Sequence, residues 1–117
     1  MASGDELLKN HSINALNGTS GTGNANYELA VTTGHTFTVL SFTINERAGN
    51  AETFSTYVDT SNNNGGTDLY IYTDQDLPAK GTFEHTSKIV LTAGQRIGFV
   101  ASSGDCDVWV SYLDQEL

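Results

Sequence analysis

The fold of this chain is decided by a stretch in its last third, which reads Leu77-Pro78-Ala79-Lys80-Gly81-Thr82-Phe83 and then Ile89-Val90-Leu91-Thr92-Ala93-Gly94-Gln95-Arg96-Ile97-Gly98-Phe99-Val100. Apolar and β-branched residues lie on both sides of Ala93-Gly94, and glycine suits a turn position that needs positive φ. Pro78 can begin a strand but cannot lie inside a central one. The stretch therefore predicts a strand, a turn at Ala93-Gly94 and a second strand that leads into the apolar alternation of the C-terminus.

The same period of two extends over most of the chain from Tyr27 onward. The predicted strands cover residues 27–31, 35–44, 52–59, 68–73, 82–91 (as one strand or two), 95–101 and 105–113. Turn signals separate them about every 8–12 residues, and no segment has a convincing helical period. These features predict an all-β fold, an antiparallel β-sandwich. Immunoglobulin-like wiring fits the pattern, but a jelly roll is favoured.

The alternation also predicts which way side chains point. In residues 35–44 its phase changes near Val39-Leu40, which indicates either a β-bulge or a strand with both faces covered. In residues 105–113 one face carries the core positions Cys106, Val108, Val110 and Tyr112. Cys106 is the only cysteine, so an intrachain disulfide is excluded. The acidic neighbours on both sides of it favour a small buried thiol over a reactive one.

Four large side chains point away from the predicted core: Tyr70, Tyr72, Trp109 and Leu113. In the same reading, Leu69 and Ile71 face inward. Exposed aromatic residues on a sheet are typical of a contact surface, which either packs against another subunit or stacks on sugars. We therefore predict these four residues as partner contacts.

Residues 1–26 differ in composition from the rest, and we expect an extended N-terminal arm there, outside a sandwich domain of residues 27–117. Residues 17–26 contain only Asn, Gly, Thr, Ser and Ala, too polar a mixture to bury the area that would order them. Short apolar clusters earlier in the arm would grip a neighbouring subunit. Its predicted contact residues are Leu7, Leu8, Ile13 and Leu16.

Size and charge bound the class of protein and its partners. With 117 residues the chain is large enough for one domain with a real core. Its 14 acidic and 5 basic residues give a formal charge of −9, which disfavours nucleic acid and anionic membranes as partners and suits a basic protein surface. The start, Met1-Ala2-Ser3-Gly4, lacks the pattern of a signal peptide, which favours synthesis in a reducing cytoplasm.

No residue pattern predicts catalysis, a metal or a cofactor. The three histidines, His11, His35 and His85, show no metal-ligand spacing, and no serine lies in a G-x-S-x-G elbow. Residues 59–64 resemble the start of an EF-hand loop, but Asn64 and Tyr70 stand where that loop needs Gly and a bidentate Glu. A cupin-like enzyme would need clustered His and Glu ligands that are missing from this sequence. We therefore predict a chain that is not an enzyme.

Several segments between Tyr27 and Glu116 resemble the small β-sandwich virion structural proteins of tailed bacteriophages. The resemblance rests on Ser41-Phe42-Thr43-Ile44-Asn45, on residues 53–58 before a polar loop, on Tyr70-Ile71-Tyr72, on the turns at residues 77–79 and 90–94, and on a last strand at residues 108–113. It is a pattern of strands and turns rather than a catalytic signature.

The resemblance implies a non-enzymatic head decoration (cement) protein of the virion. Such a protein would be made in the host cytoplasm, bind the major capsid protein on the capsid exterior, assemble as a homotrimer and grip the shell with its arm. The chain lacks the collagen-like, coiled-coil or β-helical repeats of a fibre protein. The alternative is a tail- or fibre-associated receptor- or carbohydrate-binding module that uses the loops at 46–50 and 60–66 with Tyr70, Tyr72 and Trp109.

Overall fold

The computed structural model describes residues 6–16, 27–60, 67–102 and 106–117, and within these ranges the chain forms β-strands and no α-helix. The strands are β1 (Glu6–Leu16), β2 (Glu28–Ala30), β3 (His35–Glu46), β4 (Glu52–Asp59), β5 (Asp68–Leu77), β6 (Thr82–His85), β7 (Ile89–Thr92), β8 (Arg96–Ala101) and β9 (Cys106–Glu116). The stretch expected to hold one or two strands after Pro78 therefore holds two, β6 and β7.

The strands form two antiparallel sheets with the wiring of a jelly roll. Sheet A has the order β1-β9-β3, with β6 and β7 both pairing with the far edge of β3, and sheet B has the order β2-β8-β4-β5. The pairs are nested: β1 with β9, β2 with β8, β3 with β6 and β7, and β4 with β5. This is the path of one long hairpin rolled over itself, which confirms the predicted jelly roll over immunoglobulin-like wiring.

The core lies between the two sheets and is built from alternate residues of the central strands. Phe37, Val39, Phe42 and Ile44 of β3 are buried, and Phe42 meets Phe99 of β8 edge to face at a ring separation of 5.1 Å. Full burial of each such side chain stabilises the fold by about 1.5–3 kcal/mol. The core side of β9 is as predicted, since Cys106, Val108, Val110 and Tyr112 are all buried.

A β-bulge in β3 accounts for the change of phase in its sequence. The register of β3 against β9 shifts between Val39 and Ser41. The extra residue lets Phe42 and Ile44 point into the same core as Phe37 and Val39, and Leu40 is left half-buried. Of the two explanations that the sequence allowed, the bulge is the one found.

The first correction concerns the N-terminal arm, because Glu6–Leu16 is a strand of sheet A rather than an arm outside the sandwich. Ile13 and Leu16 are buried in this chain's own core, so the prediction that they contact a partner is wrong. Because these two residues are three positions apart, they do not fit a period of two, and the strand was not predicted. A bulge between them, with Ala15 at φ 57° and its N–H bonded to Asp107 Oδ1 at 3.0 Å, turns both side chains inward. The remaining residues of the predicted arm, 1–5 and 17–26, lie outside the described ranges.

The second correction concerns β5, whose side chains do not follow a simple alternation. Its register against β4 shifts twice, and Asp74 has φ 47°. Leu69 and Ile71, predicted inside, are 56% and 37% exposed, whereas Tyr72, predicted outside, packs against the core. Each shift inserts a residue and reverses the face of those that follow, so a period-two reading fails for Ile71 and Tyr72, whereas Leu69 precedes both shifts and lies opposite Val58. Tyr70 is exposed as predicted.

Two of the turns between strands lie at residues that favour turns, Gly94 and Pro78. Gly94 has φ 87°, and the Gln95 N–H donates to the Thr92 carbonyl at 3.0 Å, so the predicted turn at Ala93-Gly94 is confirmed. Pro78 follows the last residue of β5 and does not begin a strand. It lies in a turn in which the Gly81 N–H donates to the Pro78 carbonyl at 2.8 Å.

Glu46, at the end of β3, ties two loops to one end of the sandwich. Its buried carboxylate accepts hydrogen bonds from four backbone N–H groups at 2.8–3.0 Å: Ala48, Gly49, Asn50 and Lys80. These bonds, of which that from Lys80 has the largest effect on the pKa, hold the pKa of Glu46 below its ordinary value against the opposing effect of burial. The loop after β3 is therefore a fixed structure.

Candidate interaction surfaces on the two outer faces

The outer face of sheet A carries an exposed tryptophan at the centre of the sheet. Trp109 of β9 is 50% exposed, and its cross-strand neighbours are Ser12 on β1 and Thr43 on β3. The next outward position of β9, Ser111, faces Asn10 on one side and Ser41 on the other. The indole therefore stands above a floor of short polar side chains.

An apolar row crosses the same face near one end. Leu8 of β1 lies opposite Leu113 of β9, Leu113 lies opposite Thr38 of β3, and Thr38 lies opposite Val90 of β7. Leu8 is 78% exposed and Val90 62% exposed, whereas Leu113 is half-buried. With Leu40 beside it, this row makes one half of the face apolar, and the half beyond Trp109 is polar.

Two shallow grooves flank Trp109. The larger, of about 370 Å³, runs toward the apolar row between Leu8, Leu40 and Tyr112. The smaller, of about 250 Å³, runs the other way. It is lined by apolar surface of Ile13, Val108 and Trp109 together with five hydroxyl, amide and carboxylate side chains: Ser12, Asn14, Thr43, Asn45 and Asp107. In this second groove Asp107 is paired with Arg47, whose Nε lies 3.0 Å from Oδ2.

The outer face of sheet B is closed by a buried polar network. Tyr57 of β4 lies opposite Gly98 of β8, and a Cβ on Gly98 would overlap the Tyr57 ring. The Tyr57 ring lies over this glycine, and its hydroxyl donates to Glu28 Oε2 at 2.6 Å. The other oxygen of the same carboxylate, Oε1, accepts from Arg96 Nη1 at 2.9 Å. Tyr57 and Glu28 are both buried. Tyr57 lies on the face of β4 away from the core residue Phe54, and its burial comes from this network.

The predicted contact residues do not form one surface. Trp109, Leu113 and Leu8 share the outer face of sheet A, whereas Tyr70 is 52% exposed on the outer face of sheet B, beside Tyr57. Tyr72 lies between the sheets, with its hydroxyl 2.7 Å from Nδ1 of His85. Leu7 is partly exposed on the edge strand β1.

Val90 and Leu40 are part of the sheet A face but were not predicted as contact residues. In β7 exposed and buried residues alternate, so the pattern of that strand could have predicted that the Val90 side chain points outward. Leu40 is the extra residue of the bulge in β3, and no signal in the sequence assigns its direction. That all these residues lie side by side depends on strand pairing.

The histidines have structural surroundings. The His85 ring is buried and stacks on Phe42 at a centroid distance of 4.8 Å and an angle of 10°. His11 is partly buried on β1, and burial lowers its pKa. His35 Nδ1 lies 2.6 Å from Asp114 Oδ1, and Lys9 Nζ lies 2.7 Å from Oδ2 of the same carboxylate. Burial acts to raise the pKa of Asp114, but these two hydrogen bonds and the nearby positive charge lower it overall.

Within the described ranges, no group of three or more His, Cys, Asp or Glu side chains is placed to hold a metal ion. Over the same residues, no helix is long and apolar enough to span a membrane.

Neither protein-family profiles nor curated protein sequences show a match to this chain. Solved structures do share its fold. The core of Drosophila NLP, in a study of pentamer formation and histone binding, has a TM-score of 0.59 at 11% identity, covering 94% of this chain and 99% of that chain.

Two further structures are similar at lower scores. A chain of the acid-stable capsid of Helicobacter pylori bacteriophage KHP30 has a TM-score of 0.44 at 13% identity, covering 97% of this chain and 90% of that one. The xylan-binding domain of Paenibacillus barcinonensis Xyn10C has a TM-score of 0.47 at 10% identity, covering 93% and 81%. At such identities the similarity concerns the fold, an antiparallel β-sandwich, and leaves the function open.

Proposed function

We propose that this chain is a non-enzymatic virion structural protein of a tailed phage, a head decoration protein that binds the assembled capsid. The outer face of sheet A would contact the major capsid protein on the capsid exterior. Assembly as a homotrimer, and a grip on the shell by residues before β1 or between β1 and β2, belong to this proposal through the resemblance alone.

The observation that carries the proposal is the exposed face around Trp109. A contiguous patch that contains Leu8, Leu113, Val90 and a central tryptophan is typical of a protein-contact surface. Tryptophan at the centre of such a patch commonly contributes most of the binding energy. The formal charge of −9 favours a basic partner surface. Binding to the assembled shell alone would stabilise it by mass action, without chemistry.

One observation favours a second function, a receptor- or carbohydrate-binding module of the tail. The smaller groove beside Trp109 combines an apolar lining with short hydrogen-bonding groups, among them Asn45, Thr43 and Asp107. An aromatic ring next to convergent polar groups suits a ligand with both apolar and hydroxyl surfaces, such as a sugar. This site would use the sheet face in place of Tyr70 and Tyr72.

The test compares phage particles that lack the protein, after addition of the wild-type chain or of Trp109→Ala. We expect wild type to raise the temperature at which filled heads lose DNA, and Trp109→Ala to bind at least tenfold more weakly because a central tryptophan is removed. Tyr70→Ala, which removes an equally exposed aromatic residue from the opposite face, is the matched control and should bind like wild type.

Adsorption to host cells is measured on the same particles. If particles that lack the protein retain DNA as well as complete particles do but fail to adsorb, the decoration proposal is overturned and the tail module is favoured. Equal capsid occupancy by wild type and Trp109→Ala would remove the sheet A face from the proposal.

A further inference from the structure

An open sandwich has four sheet edges, and three of those seen here are blunted against pairing with another chain. The edge of sheet B at β2 is three residues long, and the far edge of sheet A is divided between two strands of four residues, β6 and β7. The other edge of sheet B, β5, has two register shifts and carries Asp68, Asp74 and Asp76. Short strands, bulges and charges are the usual protection of sheet edges.

The remaining edge, β1, lacks this protection. From Glu6 to Ile13 its register against β9 is regular, without a bulge or proline. Leu7 and Leu8, which point to opposite faces of the sheet, are 43% and 78% exposed. Its one cation, Lys9, is already paired with Asp114 at 2.7 Å, so it does not act as a free charge that repels another strand. A partner that covered one face of the sheet would leave either Leu7 or Leu8 in water, whereas a strand added at the edge contacts both.

We propose that β1 is a self-association edge: it pairs antiparallel with β1 of a second copy about a two-fold axis that passes between the two Leu8 residues. The five residues Glu6–Asn10 of each chain form the contact, which joins two sheets A into one continuous sheet. The proposal rests on the β1 edge and does not depend on capsid binding; it predicts a dimer and therefore replaces the homotrimer that the resemblance implies.

The chemistry of the strand selects this register. A two-fold axis perpendicular to the sheet requires that facing residues lie on the same face, so only registers with an even sum of facing residue numbers are allowed. Centred on Leu8, the register sets Leu8 against Leu8, Glu6 against Asn10 and Leu7 against Lys9. Centred on residue 9 it opposes two lysines, which is unfavourable. Centred on Leu7 it sets the highly exposed Leu8 against the Glu6 carboxylate.

The Leu8 register also continues the surface already described. The apolar row of Leu8, Leu113 and Val90 meets its symmetry mate at the axis, so the row doubles in length across the dimer. Glu6 accepts a hydrogen bond from the Asn10 amide of the second copy. Because five residues from each chain make a small interface, we expect a dissociation constant in the roughly micromolar range or weaker.

Cysteine cross-linking of the full chain tests the register. Directly opposite residues of paired strands have Cα atoms about 4.5–5.5 Å apart, within the range of a disulfide. Leu8→Cys should therefore form a covalent dimer under mild oxidation. Asn10→Cys, on the same face of the same strand, is the matched control, because the Cα atoms of the two Asn10 residues would be about 14 Å apart. Wild type, whose only cysteine is the buried Cys106, should stay monomeric under denaturing conditions.

Sedimentation of Leu8→Glu and Val90→Glu measures the contact without cross-linking. Leu8→Glu places two like charges at the axis and should weaken dimerisation at least tenfold. Val90→Glu, the same charge at another exposed apolar residue on the opposite edge of sheet A, should dimerise like wild type. Cross-linking of Leu7→Cys in place of Leu8→Cys would overturn the register. A wild-type mass of one or three copies at high concentration would overturn the two-fold edge contact itself.

Discussion

The two outer faces of this sandwich each carry a large aromatic residue at the centre of a sheet, and the two residues have opposite fates. Tyr57 on sheet B is fully buried, whereas Trp109 on sheet A is 50% exposed. The difference lies in their cross-strand neighbours. Gly98 beside Tyr57 leaves room for the ring to lie on the strand, but Ser12 and Thr43 beside Trp109 both carry side chains.

The polar groups around each ring complete the difference. Glu28 accepts a hydrogen bond from the Tyr57 hydroxyl and a second one from Arg96, so the polar groups beside the Tyr57 ring are paired within one chain. The groups around Trp109 are short and open to solvent, and they leave the indole available to a partner. One face therefore contributes to stability, and the other is the candidate for binding.

The largest effect that this comparison predicts is on stability when each aromatic side chain is removed. Tyr57→Ala should lower the free energy of unfolding by about 3–5 kcal/mol, as for other large buried aromatic residues. Trp109→Ala should lower it by about 1 kcal/mol or less, since the side chain is half in water. Urea denaturation of both variants measures the contrast. Similar losses for the two would contradict the distinction between the faces.

Removal of the Tyr57 hydroxyl alone tests the network. Tyr57→Phe keeps the ring over Gly98 but removes the donor to Glu28, which should cost about 1.5–3 kcal/mol because the acceptor is a buried carboxylate. Chemical denaturation is the measurement. Tyr70→Phe, in the exposed neighbour on β5, should change stability by no more than about 0.5 kcal/mol. If both variants unfold like wild type, the hydroxyl contributes no net stability.

A methyl group at Gly98 should push the Tyr57 ring off the strand. Gly98→Ala is expected to lower stability by about 1–3 kcal/mol through overpacking. In the Tyr57→Ala background the same change should have a much smaller effect, because its obstacle is gone. A double-mutant cycle measures this coupling, and fully additive losses would show that the glycine is needed for another reason.

The smallest predicted effect concerns the ionic contact that fastens β1, which forms the edge of the sheet A face. The hydrogen bonds that hold the pKa of Asp114 below 3.8 stabilise the fold above that pH, and the contribution is lost as pH falls through the lowered value. Asp114→Asn should reduce stability at pH 7 and flatten its decline below about pH 4.

The control for that titration is Asp76→Asn, an exposed carboxylate on β5, and thermal melts at several pH values are the measurement. The hydrogen bond to Asp114 raises the pKa of Lys9 above 10.5. The contribution of Lys9 to the stability of the fold therefore persists beyond pH 10.5 and is lost only as the pH rises through the raised pKa. An acid decline that is the same in Asp114→Asn and wild type would contradict the role of this contact.

The regular strands of this fold could be predicted from the sequence, and the bulged strands could not. In β9 every second residue from Cys106 to Tyr112 is buried, as its alternation indicates. In β1 and β5 bulges insert residues, so Ile13 and Leu16 point the same way despite a spacing of three, and Tyr72 turns inward. A bulge is set by hydrogen bonds to other strands, which have no local pattern.

The candidate surface was predicted in part for the same reason. Trp109 and Leu113 were correctly expected on the outer side of β9, because β9 is regular. Tyr70 was grouped with them, although β5 belongs to the other sheet. The alternation within a strand assigns each residue a side, but it does not say which sheets share that side.

By itself, the sequence determined the all-β class, most strands from residue 27 onward, the turn at Gly94 and the core side of the regular strands, because these depend on local dihedral preference and on burying apolar residues at period two. Only the tertiary structure decided that residues 6–16 are an edge strand, that Tyr57 closes over Gly98, and that Leu8, Leu113, Val90 and Trp109 share one face. These outcomes depend on register between strands up to about a hundred residues apart, as in the pairing of Lys9 with Tyr112. Long-range pairing is selected by the packing of the whole sandwich, and a single segment does not contain that information.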